Sequence, residues 1–78
     1  MNETDKAIVE AALSGVAIRV HFTPAGTLGY PIDMLFIEAT HHEGKPPMAT
    51  VTGIDPRREE SLAPLIQELS RRAKLGSA

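Results

Sequence analysis

A 78-residue chain with three histidines, ten carboxylates and eight lysines or arginines has few groups with which to do chemistry, and it contains no cysteine. That absence removes a disulfide framework, a thiolate zinc site and a cysteine nucleophile. His41 and His42 adjoin in a polar stretch, with Glu43 next and Glu38 nearby; His21 is the third histidine. Zinc takes three or four ligands converging at about 2 Å, whereas neighbours in an extended turn point apart. No HExxH pair or Cys/His spacing is present. The histidines therefore read as solvated turn residues, and no metal ligand is expected. Ser14, Ser61, Ser70 and Ser77 fall at helix ends or on a helix surface, without a nucleophile elbow, cofactor fingerprint or paired carboxylates. A domain of this size also struggles to enclose a substrate pocket. No catalytic residue and no cofactor are expected, and the chain is not expected to be an enzyme.

Positive charge concentrates in Arg57, Arg58, Arg71 and Arg72, with Lys74. Glu59, Glu60 and Glu68 interleave with them, and the only aromatics are Phe22, Tyr30 and Phe36. Nucleic-acid binding draws on a continuous basic surface or a stacking platform. A net charge of −2 argues against the first. A salt-bridged, solvated helix face is expected instead, with nucleic-acid contact through those four arginines as the alternative. Gly26-Thr27-Leu28-Gly29 resembles the GxxG loop of KH-type RNA-binding domains in spacing. That loop joins two helices, whereas strands and prolines flank this one. Its expected role is backbone freedom at a turn.

The elements that must position these groups follow from apolar periodicity. The first segment is helical. Asn2 or Thr4 caps it, Glu3 and Asp5 charge its first turn, and Gly15 stops it. Ile8, Val9, Ala12 and Leu13, with Ala11, form its apolar stripe, and a helix of about three turns holds only when such a stripe is packed. Residues 16–22 change to a period of two, with Val16, Ile18, Val20 and Phe22 alternating with Ala17, Arg19 and His21. Residues 23–31 form a loop longer than a tight hairpin needs.

Residues 32–39 are apolar on both faces, Ile32, Met34 and Phe36 on one and Leu35, Ile37 and Ala39 on the other. Such a strand is central. Residues 41–47 make a polar turn ending in two prolines, and 48–53 read as a third strand. Asp55-Pro56 signals a helix start, but Pro64 would then lie inside the helix at a cost of about 3 kcal/mol. A charged turn through 57–60 and a helix capped near Ser61 avoid that cost. Leu62, Leu65, Ile66, Leu69 and Ala73 form its stripe, Glu68 is placed to pair with Arg71 and Arg72, and Gly76 ends it.

The result is an α+β fold of order αβββα, a three-stranded antiparallel meander with two helices packed on one face. It forms one small domain, residues 1–78, because the length leaves no room for a second core. The helices are expected over Val16, Ile18, Val20 and Phe22 together with Ile32, Met34 and Phe36. That arrangement leaves Arg19, His21, Leu35, Ile37 and Ala39 on the uncovered face, joined by Ala17 and by Val51 or the threonines Thr50 and Thr52. An apolar centre with a polar rim is what a partner-binding surface presents. Small domains bury little surface alone, and dimerisation is a common remedy. The face, or an edge strand beside it, is expected to form a homodimer or dock a protein partner. The competing expectation is that the 23–31 loop folds back over Leu35 and Ile37.

The polar, acidic start and the interruption at Glu10 do not fit a signal peptide. No apolar run approaches the roughly 20 residues that span a bilayer. With no disulfides, the expected location is the cytoplasm, with no membrane partner. Val51-Thr52-Gly53-Ile54-Asp55, followed by Leu62, Leu65, Leu69 and Gly76, resembles the middle of eukaryotic-type initiation factor one proteins. Those domains continue with a further strand where this chain ends at Ala78, and no function is carried across. The expected function is that of a small interaction module, a homodimeric regulator or inhibitor that binds a partner protein, of the kind a phage or mobile element encodes. The alternative is a nucleic-acid-associated accessory factor.

Overall fold

The computed structural model describes residues 1–43 and 48–76. Helix α1 (Glu3–Leu13) starts at Asn2, whose Oδ1 accepts the Asp5 N–H at 2.7 Å. Asn2 rather than Thr4 is thus the cap, satisfying one of the orphan donors of the first turn. Gly15, at φ 89°, turns the chain directly into β1 (Val16–Thr23), a conformation that a Cβ would strain. With β2 (Met34–His41) and β3 (Met48–Ile54), β1 forms one antiparallel sheet in the order β1-β2-β3. This is the expected meander, with β2 central.

The β1–β2 connection contains a 3-10 turn at Thr27–Gly29, and β2 begins only at Met34. Ile32 therefore belongs to the loop and stays 42% exposed. Asp33 ties this loop down, one carboxylate oxygen accepting the Ala25 N–H at 2.8 Å and the other the Arg57 guanidinium at 2.9 Å. Residues 44–47 of the expected polar turn lie outside the described residues.

After β3, Asp55 accepts the Arg57 N–H at 3.0 Å and caps a short 3-10 turn, Pro56–Arg58. Helix α2 (Ala63–Gly76) follows, with Ser61 Oγ accepting the Ala63 N–H at 3.2 Å. Pro64 sits in the first turn, where its missing N–H leaves no helical bond unmade. Gly76 is the last helical residue rather than the residue beyond it.

Both helices cover the same sheet face, α1 over β1 and α2 over β2 and β3, and they pack against each other. The stripe expected of α2 is buried in the core at Ile66, Leu69 and Ala73, with Leu62 and Leu65 packed beside them. Of the stripe expected on helix α1, Ala11 is buried and Ile8 packs against the core. Ala7 joins them instead of Val9, Ala12 and Leu13, which are exposed, Val9 at 43% and Leu13 at 84%. The small residues are turned toward α2, and a groove of about 440 Å³ at the helix junction is lined in part by Ala7, Ala11, Ser14 and Ser70.

Register decides what the helices cover. The β1–β2 pairing runs from Val16↔His41 to Thr23↔Met34, so every even-numbered β1 residue stands opposite an odd-numbered β2 residue. Directly opposed residues share a face. Val16, Ile18, Val20 and Phe22 therefore share the helix side with Leu35, Ile37 and Ala39, and Ile37 and Ala39 are both 0% exposed. This corrects the expected placement of Leu35, Ile37 and Ala39 on the uncovered face beside Arg19 and His21. The parity follows from the connection, positions 24–33, an even number of residues between the paired ends. One residue more or fewer would have turned every β2 side chain to the other face. The covering elements are the helices, not the 23–31 loop.

Candidate protein-binding face

The face turned away from both helices is built from the odd-numbered residues of β1 and β3 and the even-numbered residues of β2. Its cross-strand rows are Ala17–Thr40–Ala49, Arg19–Glu38–Val51 and His21–Phe36–Gly53, with Thr23–Met34 at the end. Alternation of side chains along a strand makes this set inevitable once the register is fixed. Val51 is 57% exposed, Arg19, His21 and Ala49 are exposed, and Met34, Phe36 and Glu38 are half-buried.

The apolar end of this face has a defined construction. The Phe36 ring lies over Gly53, where an added Cβ would stand 2.7 Å from a ring carbon and 3.2 Å from the Met34 methyl. Tyr30, carried by the loop, sets its ring against Phe36 at a centroid distance of 5.7 Å and a 60° tilt. Edge-to-face and tilted aromatic pairs of this spacing are favourable. The loop thus does fold back onto the sheet, but it reaches Phe36 rather than Leu35 and Ile37. Asp33, beside it, holds the loop base. The Ala25 N–H and then the Arg57 guanidinium lower the Asp33 carboxyl below the usual carboxylate range.

Of the five residues expected to bind a partner, the structure brings only Arg19 and His21 onto the open face. Ile37 and Ala39 are core, and Leu35 is half-buried on the helix side. Met34 and Phe36, assigned from sequence to the covered side, take their place, together with Val51. A glycine inside a strand is the sequence signal available for this packing, because such a residue marks a close approach by a neighbouring group. That group is Phe36.

The four arginines form two separate pairs. Arg57 bonds Asp33 and Arg58 lies 3.8 Å from Asp55, whereas Arg71 and Arg72 both bond Glu68, at 2.6 and 3.0 Å. The Arg71 bond chiefly, with help from Arg72, lowers the Glu68 carboxyl, and Glu68 in turn raises Arg71. Each pair is thus held by its own carboxylates, Asp33 and Asp55 for the first and Glu68 for the second. Of the histidines, His41 and His42 adjoin and His21 stands apart from them. His21 pairs with Phe36 on the open face and His41 with Val16 at the other end of the helix side. Among the described residues no three His, Cys, Asp or Glu side chains are grouped to hold a metal ion. Among the same residues no helix is long and apolar enough to cross a membrane.

Comparison of the chain with family models, with curated proteins and with solved structures found no match.

Proposed function

We propose that this chain is a non-enzymatic protein-interaction module of the cytoplasm that docks a partner protein on the open face of its sheet. One observation carries the proposal: an apolar cluster of Phe36, Met34 and Val51, bordered by the polar Arg19, His21 and Glu38, stands on the side opposite both helices. A protein interface combines such an apolar, aromatic centre with a polar rim and favours arginine among charged residues. Among the described residues Arg19 enters no ion pair with Glu38 opposite it, and so offers its guanidinium to a partner carboxylate. The partner surface that fits is a protein with an apolar projection for Phe36 and Val51 and an acidic group for Arg19. A regulator or inhibitor acts in this way, by occupying a surface.

The experiment is photocrosslinking in the native host from a benzophenone side chain at position 51, with the same probe at position 72 on α2 as control. A discrete protein adduct from position 51, lost when Arg19→Glu is added, is the expected result. Adducts from position 72 alone would overturn the proposal, as would a nuclease-sensitive adduct from position 51.

A further inference from the structure

Strand β1 is an edge of the sheet, paired on one side only. Its free side can be read from one bond. Gly15 C=O accepts the His42 N–H at 3.3 Å, which continues the β1–β2 register by one pair. Hydrogen-bonded and non-hydrogen-bonded pairs alternate in an antiparallel ladder. The backbone groups of Ala17, Arg19 and His21 thus point at β2, and those of Ile18, Val20 and Phe22 point outward from the sheet. Edges are usually guarded by proline, charged side chains or a bulge. Residues 16–23 contain no proline, carry Arg19 as their single lysine or arginine, and pair continuously with β2.

The same strand is only half roofed. On the helix side, exposure rises from 1% at Val16 to 46% at Val20 and 59% at Phe22. Taking an aromatic side chain as about 200 Å², Phe22 alone leaves roughly 120 Å² uncovered. Helix α1 covers the Val16 end, where Ile8 and Ile18 join the core. Its α2-facing side is marked by the groove residues Ala7, Glu10, Ala11 and Ser14. At 100° per residue, the opposite flank, above the free edge, carries the exposed Val9 and Ala12.

We infer that a second copy of this chain pairs its β1 antiparallel to this β1 across a two-fold axis at Val20, making one continuous six-stranded sheet. The inference goes beyond the open-face proposal and leaves that face free. Three requirements fix the register, and the last makes the strand complementary to itself. Outward donors must meet outward acceptors, so even-numbered positions pair with even-numbered ones and the axis passes through a residue. An axis at Arg19 would set the two guanidinium groups directly opposite, which is unfavourable. An axis at Val20 sets Arg19 against His21 and pairs Ile18 with Phe22. That last pairing brings the uncovered end of each strand beside the roofed end of the other, under the flank of its α1. A single-strand interface with two apolar anchors per chain lies at the small end of stable interfaces, and its dimer dissociates on dilution.

Sedimentation velocity across a concentration series tests this on the full chain. The expected result is a reversible dimer whose dissociation constant rises at least about tenfold in Phe22→Lys and in Val20→Pro, and is unchanged in Val51→Lys. Val20→Pro removes an outward N–H without touching the β1–β2 ladder, and Phe22 is exposed in the single chain, so circular dichroism should find both folded. A wild-type chain that stays monomeric throughout overturns the inference and leaves the open-face proposal to its own crosslinking test. A dimer lost in Val51→Lys but kept in the two edge variants overturns it by moving the second copy to the open face. Equal loss in all three variants also overturns it.

Discussion

Ile37→Ala measures the burial on which the assignment of faces depends. Ile37 is wholly buried beneath α2, beside Ile66 and Leu69. The substitution deletes three carbons, at about 0.8 kcal/mol each, or about 2.4 kcal/mol of lost transfer free energy. The space left between a helix and the central strand collapses only in part, which raises the loss toward about 4 kcal/mol. A domain of this length is typically stable by roughly 4–12 kcal/mol, so one side chain removes a large share. Val20→Ala on the same face is the comparison. It deletes two carbons from a side chain already 46% exposed, for a loss of about 1 kcal/mol. In urea denaturation followed by circular dichroism in dilute solution, a slope near 1 kcal/mol per molar makes the Ile37→Ala midpoint fall by about 2–4 M. A loss below about 1 kcal/mol for Ile37→Ala, with the larger loss found for Phe36→Ala instead, would mean the helices lie on the other face and would refute the register argument.

Three further outcomes follow from individual contacts. Asp33→Asn should flatten the acid limb of thermal stability. The carboxyl is held low in the folded state, so the unfolded chain binds more protons, and the stabilisation present above the ordinary carboxylate pKa is lost as pH falls through the folded one. Melting curves from neutral to strongly acid pH check this, and an acid limb as steep in the variant as in the wild type contradicts it. Gly53→Ala should destabilise by about 1 kcal/mol, against the usual gain from replacing a strand glycine, because the new Cβ displaces the Phe36 ring. A urea midpoint equal to or above wild type argues against the Phe36–Gly53 packing. Short duplex and single-stranded oligonucleotides should give no gel shift at low salt, since Asp33, Asp55 and Glu68 already engage the four arginines. A shift abolished by Arg71→Ala would restore nucleic acid as the partner.

Periodicity carried most of the fold. The switch from a 3.6-residue to a 2-residue repeat at Val16, the Asp55-Pro56 and Ser61–Pro64 signals, and the doubly apolar β2 each correspond to an observed element. What periodicity could not supply was the relation between strands. Alternation along 34–39 assigns residues to two faces without saying which face meets Val16, and that choice depends on the length and path of the β1–β2 connection. Ile32 extended the pattern by an apolar residue that belongs to the loop, so the connection seemed shorter than it is. Phe36 and Met34 were legible as a pair on one face, yet their exposure was not. The exposed Val9 and Leu13 on α1 were hidden for a related reason. Ala11 was legible in the stripe, but nothing local told that Ala7, rather than the larger Val9 and Leu13, would join it against α2.

The side on which the apolar face of β2 lies open can be measured in solution from methyl signals. A soluble gadolinium chelate, added to the folded protein with methyl-resolved NMR, relaxes protons according to their distance from solvent. The account predicts strong broadening at the Val51 methyls, intermediate broadening at the half-buried Met34 methyl, and sharp, unaffected signals from Ile37, Ala39 and Ile66. Broadening at Ile37 and Ala39 with Met34 and Val51 protected would contradict it, and the open-face surface would have to be given up.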